Sequence, residues 1–147
     1  MSEGTDGPAR EHFLALKFQP DRWAITDALT GIHCAALSAD DFAVLGERNG
    51  SMVWSPLSNL LLYGATADVR QARAKGVHVA LGSDWSPTGS KNLLGELKVA
   101  RLASAEAGDV FSDRQIVALA TREAATILRW DRVIGSIVTG KRADLLV

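Results

Sequence analysis

The chain has 147 residues, of which 47% are hydrophobic and 22% are charged, so it can bury one sizeable core. Sixteen Lys and Arg residues against 17 Asp and Glu residues give a formal net charge of −1, which argues against nucleic acid as the main partner. Cys34 is the only cysteine, and this excludes an internal disulfide and a thiolate-rich zinc site.

The sequence has no pattern typical of a membrane or export segment. No stretch approaches the roughly 18 to 20 apolar residues that a membrane-spanning helix needs. Residues 1–13 lack a basic start followed by an apolar run. We therefore expect a soluble, cytoplasmic protein without a membrane partner.

The first half of the chain predicts an alternation of strands and helices. Apolar runs closed by turn residues indicate buried strands at residues 28–34, 50–54 and 76–81. Ser38 and Asp41 resemble a capping box, which predicts a helix that ends at Arg48. Thr66 is expected to cap a second helix, which ends before Gly76.

The second half predicts two further helices and a tail of strand character. Residues 92–107 carry apolar side chains at helical spacing, and Gly108 ends that helix. A second capping box, formed by Ser112 and Gln115, begins another helix. Residues 133–147 return to the apolar pattern of strands.

This alternation predicts a parallel sheet, because parallel neighbours need a crossover that a helix normally supplies. An open doubly wound sheet and part of a (β/α)8 barrel both fit the pattern. A complete barrel needs about 250 residues. The apolar run at residues 145–147 would leave a sheet edge unpaired. We therefore expect part of a barrel, and hence a fragment.

Polar residues at the carboxyl ends of parallel strands face the mouth where ligands bind. This rule selects His33 after the first predicted strand, residues 55–59 after the second, and Ser83, Asp84 and Trp85 after the third. A carboxylate beside an imidazole can bind a divalent metal or transfer a proton. The alternatives are that His33 is a hydrogen-bonded packing residue and that Asp84 caps a turn.

Several other residues have structural interpretations. His78 lies within a strand that we expect to be buried and His12 lies on an amphipathic helix, so both are assigned to packing. Cys34 adjoins His33, but neighbouring strand residues point to opposite faces, so it is interpreted as a small buried hydrophobe. Trp54 could line a pocket, with packing in the core as the default.

This order of motifs resembles the carboxyl-terminal half of the metal-dependent amidohydrolase superfamily, in the branch of cytosine deaminase-like and chlorotriazine hydrolase-like enzymes. The matching stretches are residues 31–34 (GIHC), 53–59 (VWSPLSN), 76–84 (GVHVALGSD) and 134–145 (IGSIVTGKRADL). The resemblance implies an α/β fold with the late strands and helices of a (β/α)8 TIM-type barrel over residues 1–130. It also implies a segment that returns toward a small β domain over residues 131–147.

The resemblance further implies roles for individual residues. Asp84 would bind the metal and accept a proton from the attacking water, and His33 would orient that water or polarise the bond under attack. Glu3 would be the acid/base glutamate. The side chains that would contact the substrate are those of Trp54, Trp85, Lys91 and Asn92.

These roles imply a metal-dependent hydrolase that acts on non-peptide C–N bonds, by hydrolysis or deamination, in a small cyclic substrate. The cofactor would be zinc, with iron or manganese as the alternatives. Asp84 is the only direct ligand identified, whereas a catalytic zinc site usually has three protein ligands. We therefore expect weak metal binding and negligible turnover by the chain alone.

Two further expectations follow. Exposed strand edges predict self-association or pairing with a missing amino-terminal half. A non-catalytic α/β structural or interaction module is the alternative function. The hydrolase interpretation requires the side chains of His33 and Asp84 to project into one shared cavity.

Overall fold

The structure, a computed structural model, describes residues 4–145. Its elements in chain order are α1 (Gly7–Leu14), β1 (Lys17–Gln19), β2 (Arg22–Trp23), β3 (Thr30–Ile32), α2 (Ala39–Glu47), β4 (Ser51–Trp54), α3 (Pro56–Tyr63), α4 (Val69–Ala74), β5 (His78–Leu81), α5 (Leu93–Glu106), α6 (Asp113–Leu119) and α7 (Arg122–Ile127). The α/β class predicted from the sequence is confirmed.

The three predicted strands form one parallel sheet in the order β3-β4-β5. In the register of this sheet, Ile32 lies beside Val53, and Trp54 lies beside Leu81. The carboxyl ends of all three strands therefore meet at one edge. The first strand is shorter than predicted and begins at Thr30. It ends at Ile32 because the next two residues have positive φ angles of 66° and 54° and leave the extended conformation.

Local capping signals locate most of the helices. Both predicted capping boxes are present, at the start of α2 and at the start of α6. The predicted cap of α4 is wrong, because Asp68 and not Thr66 accepts the hydrogen bond from the Gln71 amide. The single helix predicted after Ser112 is divided into α6 and α7 at Thr121, whose φ and ψ of −124° and −95° are not helical.

Two elements do not appear in the sequence-based prediction. Helix α3 begins at Pro56, directly after β4, where the sequence indicated only a turn that closes the strand. A short antiparallel hairpin of β1 and β2 precedes the sheet. Both elements are short, and Pro56 is compatible either with a loop or with the first turn of a helix.

The tail does not form the predicted strand within the part that the structure describes. Residues 133–145 contain turns and no strand. Ile137 is 89% exposed, and backbone hydrogen bonds join nearby residues, such as Lys141 to Val138. None of the described strands lies alongside to supply the ladder that an isolated strand lacks. The boundary between residues 130 and 131 stays a prediction.

The core lies between one face of the sheet and the helices that cross over it. Its fully buried large side chains include Phe42, Leu45, Met52 and Trp54. Met52 and Trp54 lie on β4 and alternate with residues that face the other side of the sheet, as the pleat requires. The assignment of His78 to the core is wrong. His78 is exposed at the start of β5, whereas the three residues that follow it in this strand are all buried.

None of the helices described between residues 4 and 145 is long and apolar enough to cross a membrane. The longest of them, α5, has 14 residues.

Gly46 allows α2 to approach the end of α4. A β-carbon at Gly46 would overlap the carbonyl oxygen of Lys75. Alanine normally favours a helix over glycine by about 1 kcal/mol, but this clash involves rigid backbone. We expect Gly46→Ala to lower the free energy of unfolding by about 1 to 3 kcal/mol, measured by urea denaturation.

Gly7→Ala is the matched control, because a β-carbon at Gly7 meets no atom within 4 Å. This variant should keep or slightly raise the free energy of unfolding. A stabilised Gly46→Ala variant would contradict the packing of α2 against α4.

Candidate active site

His33 and Asp84 lie together at the carboxyl edge of the sheet. His33 follows β3 and Asp84 follows β5, and β4 runs between these two strands. The distance from His33 Nε2 to Asp84 Oδ2 is 3.6 Å. The structure therefore brings into one site the two side chains that the sequence analysis singled out.

The backbone turns sharply at both residues. His33 has a φ of 66° and Asp84 a φ of 59°, in the left-handed region that residues other than glycine seldom adopt. Just before each turn a last inter-strand hydrogen bond holds the chain, from the His33 amide to the Val53 carbonyl and from the Gly82 amide to the Trp54 carbonyl. Residues in such conformations cluster at functional sites.

Two successive residues of α3 bridge the pair. The Ser58 hydroxyl donates to Asp84 Oδ2 at 2.5 Å, and the Asn59 Nδ2 atom lies 3.0 Å from His33 Nδ1. Both residues are fully buried. From the sequence, residues 55–59 were expected at the carboxyl edge of the sheet, where ligands bind. No individual roles were predicted for Ser58 and Asn59.

The hydrogen bond from Ser58 lowers the pKa of Asp84 below its usual value. Partial burial acts in the opposite direction, and the Trp85 amide and nearby His33 favour the charged form. Asp84 is therefore a carboxylate at neutral pH, and its oxygens can only accept hydrogen bonds or bind cations.

Glu96, which the sequence analysis missed, holds this arrangement from α5. Its Oε1 atom accepts a hydrogen bond from the Leu57 amide at 3.0 Å, and its other oxygen accepts one from the Ser90 hydroxyl. Ser55, at the N-cap of α3, makes no side-chain capping bond. The fully buried Glu96 therefore caps α3 and ties it to the loop that follows Asp84.

The other predicted site residues have different surroundings. Trp85 is 69% exposed beside Asp84, and Lys91 is exposed in the same loop. The Asn92 side chain caps α5 by accepting a hydrogen bond from the Gly95 amide. Trp54 is fully buried and packs near Phe111, which favours the core alternative. Glu3 lies outside the described residues.

Cys34 is buried, as predicted, although for a different reason. The alternation argument does not apply, because β3 ends at Ile32 and Cys34 has a positive φ. Burial raises the pKa of the Cys34 thiol to about 12. A thiol in this state is a poor nucleophile and a poor metal ligand.

His33 and Asp84 do not form a complete metal site by themselves. Among residues 4–145, no group of three or more His, Cys, Asp or Glu side chains is arranged to hold a metal ion. A catalytic zinc ion usually has three protein ligands and a water molecule. The described residues offer one carboxylate and one imidazole, and the Ser58 hydroxyl already contacts Asp84 Oδ2.

Ser58→Ala should raise the pKa of Asp84 toward its ordinary value near 4, because it removes the strongest interaction that favours the carboxylate. Carbon-13 NMR of the side-chain carboxyl groups measures this pKa. A lowered pKa stabilises the fold above the ordinary pKa, and this stabilisation is lost as the pH falls through the folded-state value. The stability advantage of the wild type over the variant should therefore shrink in acid.

The control is Ser86→Ala, an exposed serine in the same loop as Asp84. It should leave the titration of Asp84 unchanged. An unaltered pKa of Asp84 in Ser58→Ala would contradict the role given to the Ser58 hydroxyl.

Glu96→Ala should lower the free energy of unfolding by about 2 to 4 kcal/mol, since the Leu57 amide and the Ser90 hydroxyl both lose their acceptor. Glu96→Gln keeps a carbonyl oxygen for the Leu57 amide and should lose less than about 1.5 kcal/mol. Urea denaturation measures both changes. Glu106→Ala, at the exposed end of α5, is the control. Equal losses in the alanine and glutamine variants would show that Glu96 does not act as a cap.

Comparisons with known proteins extend over most of the chain. The sequence profile of the amidohydrolase family matches residues 15–147. A 5-methylthioadenosine/S-adenosylhomocysteine deaminase from Symbiobacterium thermophilum is 36% identical over 122 residues, covering 78% of this chain and 28% of that protein. An S-triazine hydrolase from Gordonia rubripertincta is 29% identical over 126 residues, covering 83% of this chain and 26% of that protein.

A solved structure has a similar backbone. It is an adenosine deaminase from Xanthomonas campestris with bound zinc, with a TM-score of 0.72 and 28% identity, covering 82% of this chain and 28% of that one. The chain thus spans little more than a quarter of the length of the relatives that it matches.

Proposed function

The chain belongs to the amidohydrolase family, and on this premise we propose that it supplies His33 and Asp84 to an active site for hydrolysis at a nitrogen heterocycle. The reaction would replace an exocyclic nitrogen substituent of a small ring by the oxygen of water. The names of the relatives support this class, because adenine and s-triazine are both nitrogen-rich rings.

The distance of 3.6 Å between His33 Nε2 and Asp84 Oδ2 is the observation that carries the proposal. Asp84 is an acceptor at neutral pH, so it can take a proton from the attacking water as the new C–O bond forms. It can return that proton to the leaving nitrogen as the C–N bond breaks, and no proton is gained or lost overall. His33 can stabilise charge that develops next to the attacked carbon by donating a hydrogen bond.

Asp84 is also proposed as one ligand of a divalent metal. Zinc is favoured because the Xanthomonas campestris adenosine deaminase contains it, with iron and manganese as the alternatives. The remaining ligands would come from other residues, because no group of three or more potential ligands lies among residues 4–145 and a catalytic zinc site usually has three protein ligands. We therefore propose weak metal binding and negligible turnover by the chain alone.

We propose that the β3-β4-β5 sheet is an arc of a (β/α)8 barrel, which the similarity to the deaminase structure supports. Residues 131–147 would lead toward a small β domain. β3 and β5 are the two edge strands of the described sheet. Their edges would pair either with an amino-terminal half or with a second copy of the chain. Trp85, exposed beside Asp84, and Lys91, exposed in the same loop, are the proposed contacts for the substrate ring.

The test is reconstitution of the barrel. The chain would be co-expressed with the amino-terminal part of the Symbiobacterium thermophilum relative that it does not match, and supplied with zinc. Ammonium release would be measured from methylthioadenosine, adenosine and an amino-substituted s-triazine. We expect release from at least one substrate by the co-purified complex and none above the blank by either part alone.

Asp84→Asn should lower the rate of that complex by about 100-fold or more, because it removes the proton acceptor. The control is Asp21→Asn, which changes an exposed aspartate in the turn of the β1-β2 hairpin. A co-purified complex that releases no ammonium from any of the three substrates would contradict the proposed reaction. Full activity of the chain alone would contradict its proposed dependence on other ligands.

A further inference from the structure

A continuous line of hydrogen bonds leads from the core to His33. The Trp54 indole Nε1 atom donates to Thr66 Oγ1 at 2.7 Å, and Thr66 Oγ1 donates to Asn59 Oδ1 at 3.1 Å. The Asn59 Nδ2 atom then lies 3.0 Å from His33 Nδ1. Trp54 and Asn59 are fully buried, so water does not compete for their polar atoms.

The donors and acceptors along this line give it a direction. An indole N–H can only donate, so Thr66 Oγ1 accepts from Trp54. The hydroxyl of Thr66 in turn donates its single hydrogen to Asn59 Oδ1. That hydrogen requires the carbonyl oxygen of the Asn59 amide on its side. The NH₂ group of Asn59 therefore faces His33, and it can only donate.

The last step fixes the proton on the imidazole. His33 Nδ1 must accept the hydrogen bond from Asn59, so it carries no hydrogen in the neutral ring. The hydrogen of the neutral imidazole is then on Nε2, the atom that faces Asp84. Tyr63 lies edge-on to the His33 ring, with centroids 6.2 Å apart.

We propose that Trp54, Thr66 and Asn59 are positioning residues that hold His33 in the tautomer protonated at Nε2. In this tautomer His33 presents a hydrogen-bond donor to the site. It offers no lone pair on Nε2, so it does not act as a metal ligand through that atom. The use of this donor in catalysis rests on the proposed function, whereas the tautomer is a property of the chain itself.

The tautomer can be observed directly by NMR. Long-range ¹H–¹⁵N correlation spectra distinguish protonated from unprotonated ring nitrogens, and the uniformly ¹⁵N-labelled chain has only three histidines. His12→Gln and His78→Gln assign the His33 signals by elimination. No metal and no substrate is added. We expect His33 to be protonated at Nε2 and unprotonated at Nδ1.

Asn59→Asp tests the relay with an isosteric side chain. A carboxylate can accept but cannot donate, so it favours a hydrogen on His33 Nδ1. We expect the Nδ1 signal to move from the unprotonated to the protonated position. Thr66→Val keeps the shape of the side chain but removes the hydroxyl that orients Asn59. We expect the Nε2-protonated form to fall from nearly all of the population to a mixture.

Two further variants separate positioning from folding. Thr66→Ser restores the hydroxyl and should restore the wild-type spectrum. Thr126→Val is the control, because its exposed hydroxyl donates only to the carbonyl of Arg122 in its own helix. If Thr66→Val does not fold, Trp54→Phe tests the same relay by removing the indole donor, and it should give the same mixture of tautomers.

A wild-type chain with His33 protonated at Nδ1 would overturn the proposal. So would an unchanged His33 spectrum in folded Asn59→Asp and in folded Thr66→Val or Trp54→Phe. Because these spectra require neither turnover nor metal, a failure here leaves the proposed reaction intact. Absence of ammonium release likewise leaves the tautomer assignment intact.

Discussion

The site depends on the direct passage of the central strand into a helix. Strand β4 ends at Trp54 and α3 begins at Pro56, so only Ser55 separates them. Because β3 and β5 pair in parallel with β4 on its two sides, their ends lie to either side of the start of α3. Two neighbouring side chains in the first turn of α3 then reach in different directions, one toward β3 and one toward β5. The register of the sheet thereby sets the separation of imidazole and carboxylate.

Most polar side chains around this junction are buried, and the buried ones are mutually satisfied. Within the part of the chain that the structure describes, every buried side-chain nitrogen or oxygen has a hydrogen-bond partner. A half-satisfied polar network in a core costs more than an apolar core would, because each orphaned group has lost its water. Glu96 is central in this respect, since one carboxylate serves both the start of α3 and the loop after Asp84. The same network that stabilises the fold thus orients the candidate catalytic groups.

Features with local signals could be predicted from the sequence, and those that depend on distant contacts could not. The capping boxes at Ser38 and Ser112 and the three strands follow from neighbouring residues, and the match to the amidohydrolase family confirms the resemblance carried by the motifs. Thr66 shows the limit: a threonine before a helix usually caps it, but here the hydroxyl bonds to Trp54 and Asn59 from other elements. His78 was misplaced because the apolar run does not show where burial begins along the strand: His78 is the exposed first residue of β5, and the three residues after it are buried.

The reactivity of Cys34 can report local opening of the fold near the end of β3. Its sulfur is the only thiol in the chain, it adjoins His33, and burial keeps it protonated. A reagent that alkylates thiolates can reach it only when the end of β3 separates from its neighbours. The rate of alkylation in native buffer therefore measures how often the end of β3 opens locally and exposes the Cys34 sulfur. No label has to be introduced for this measurement.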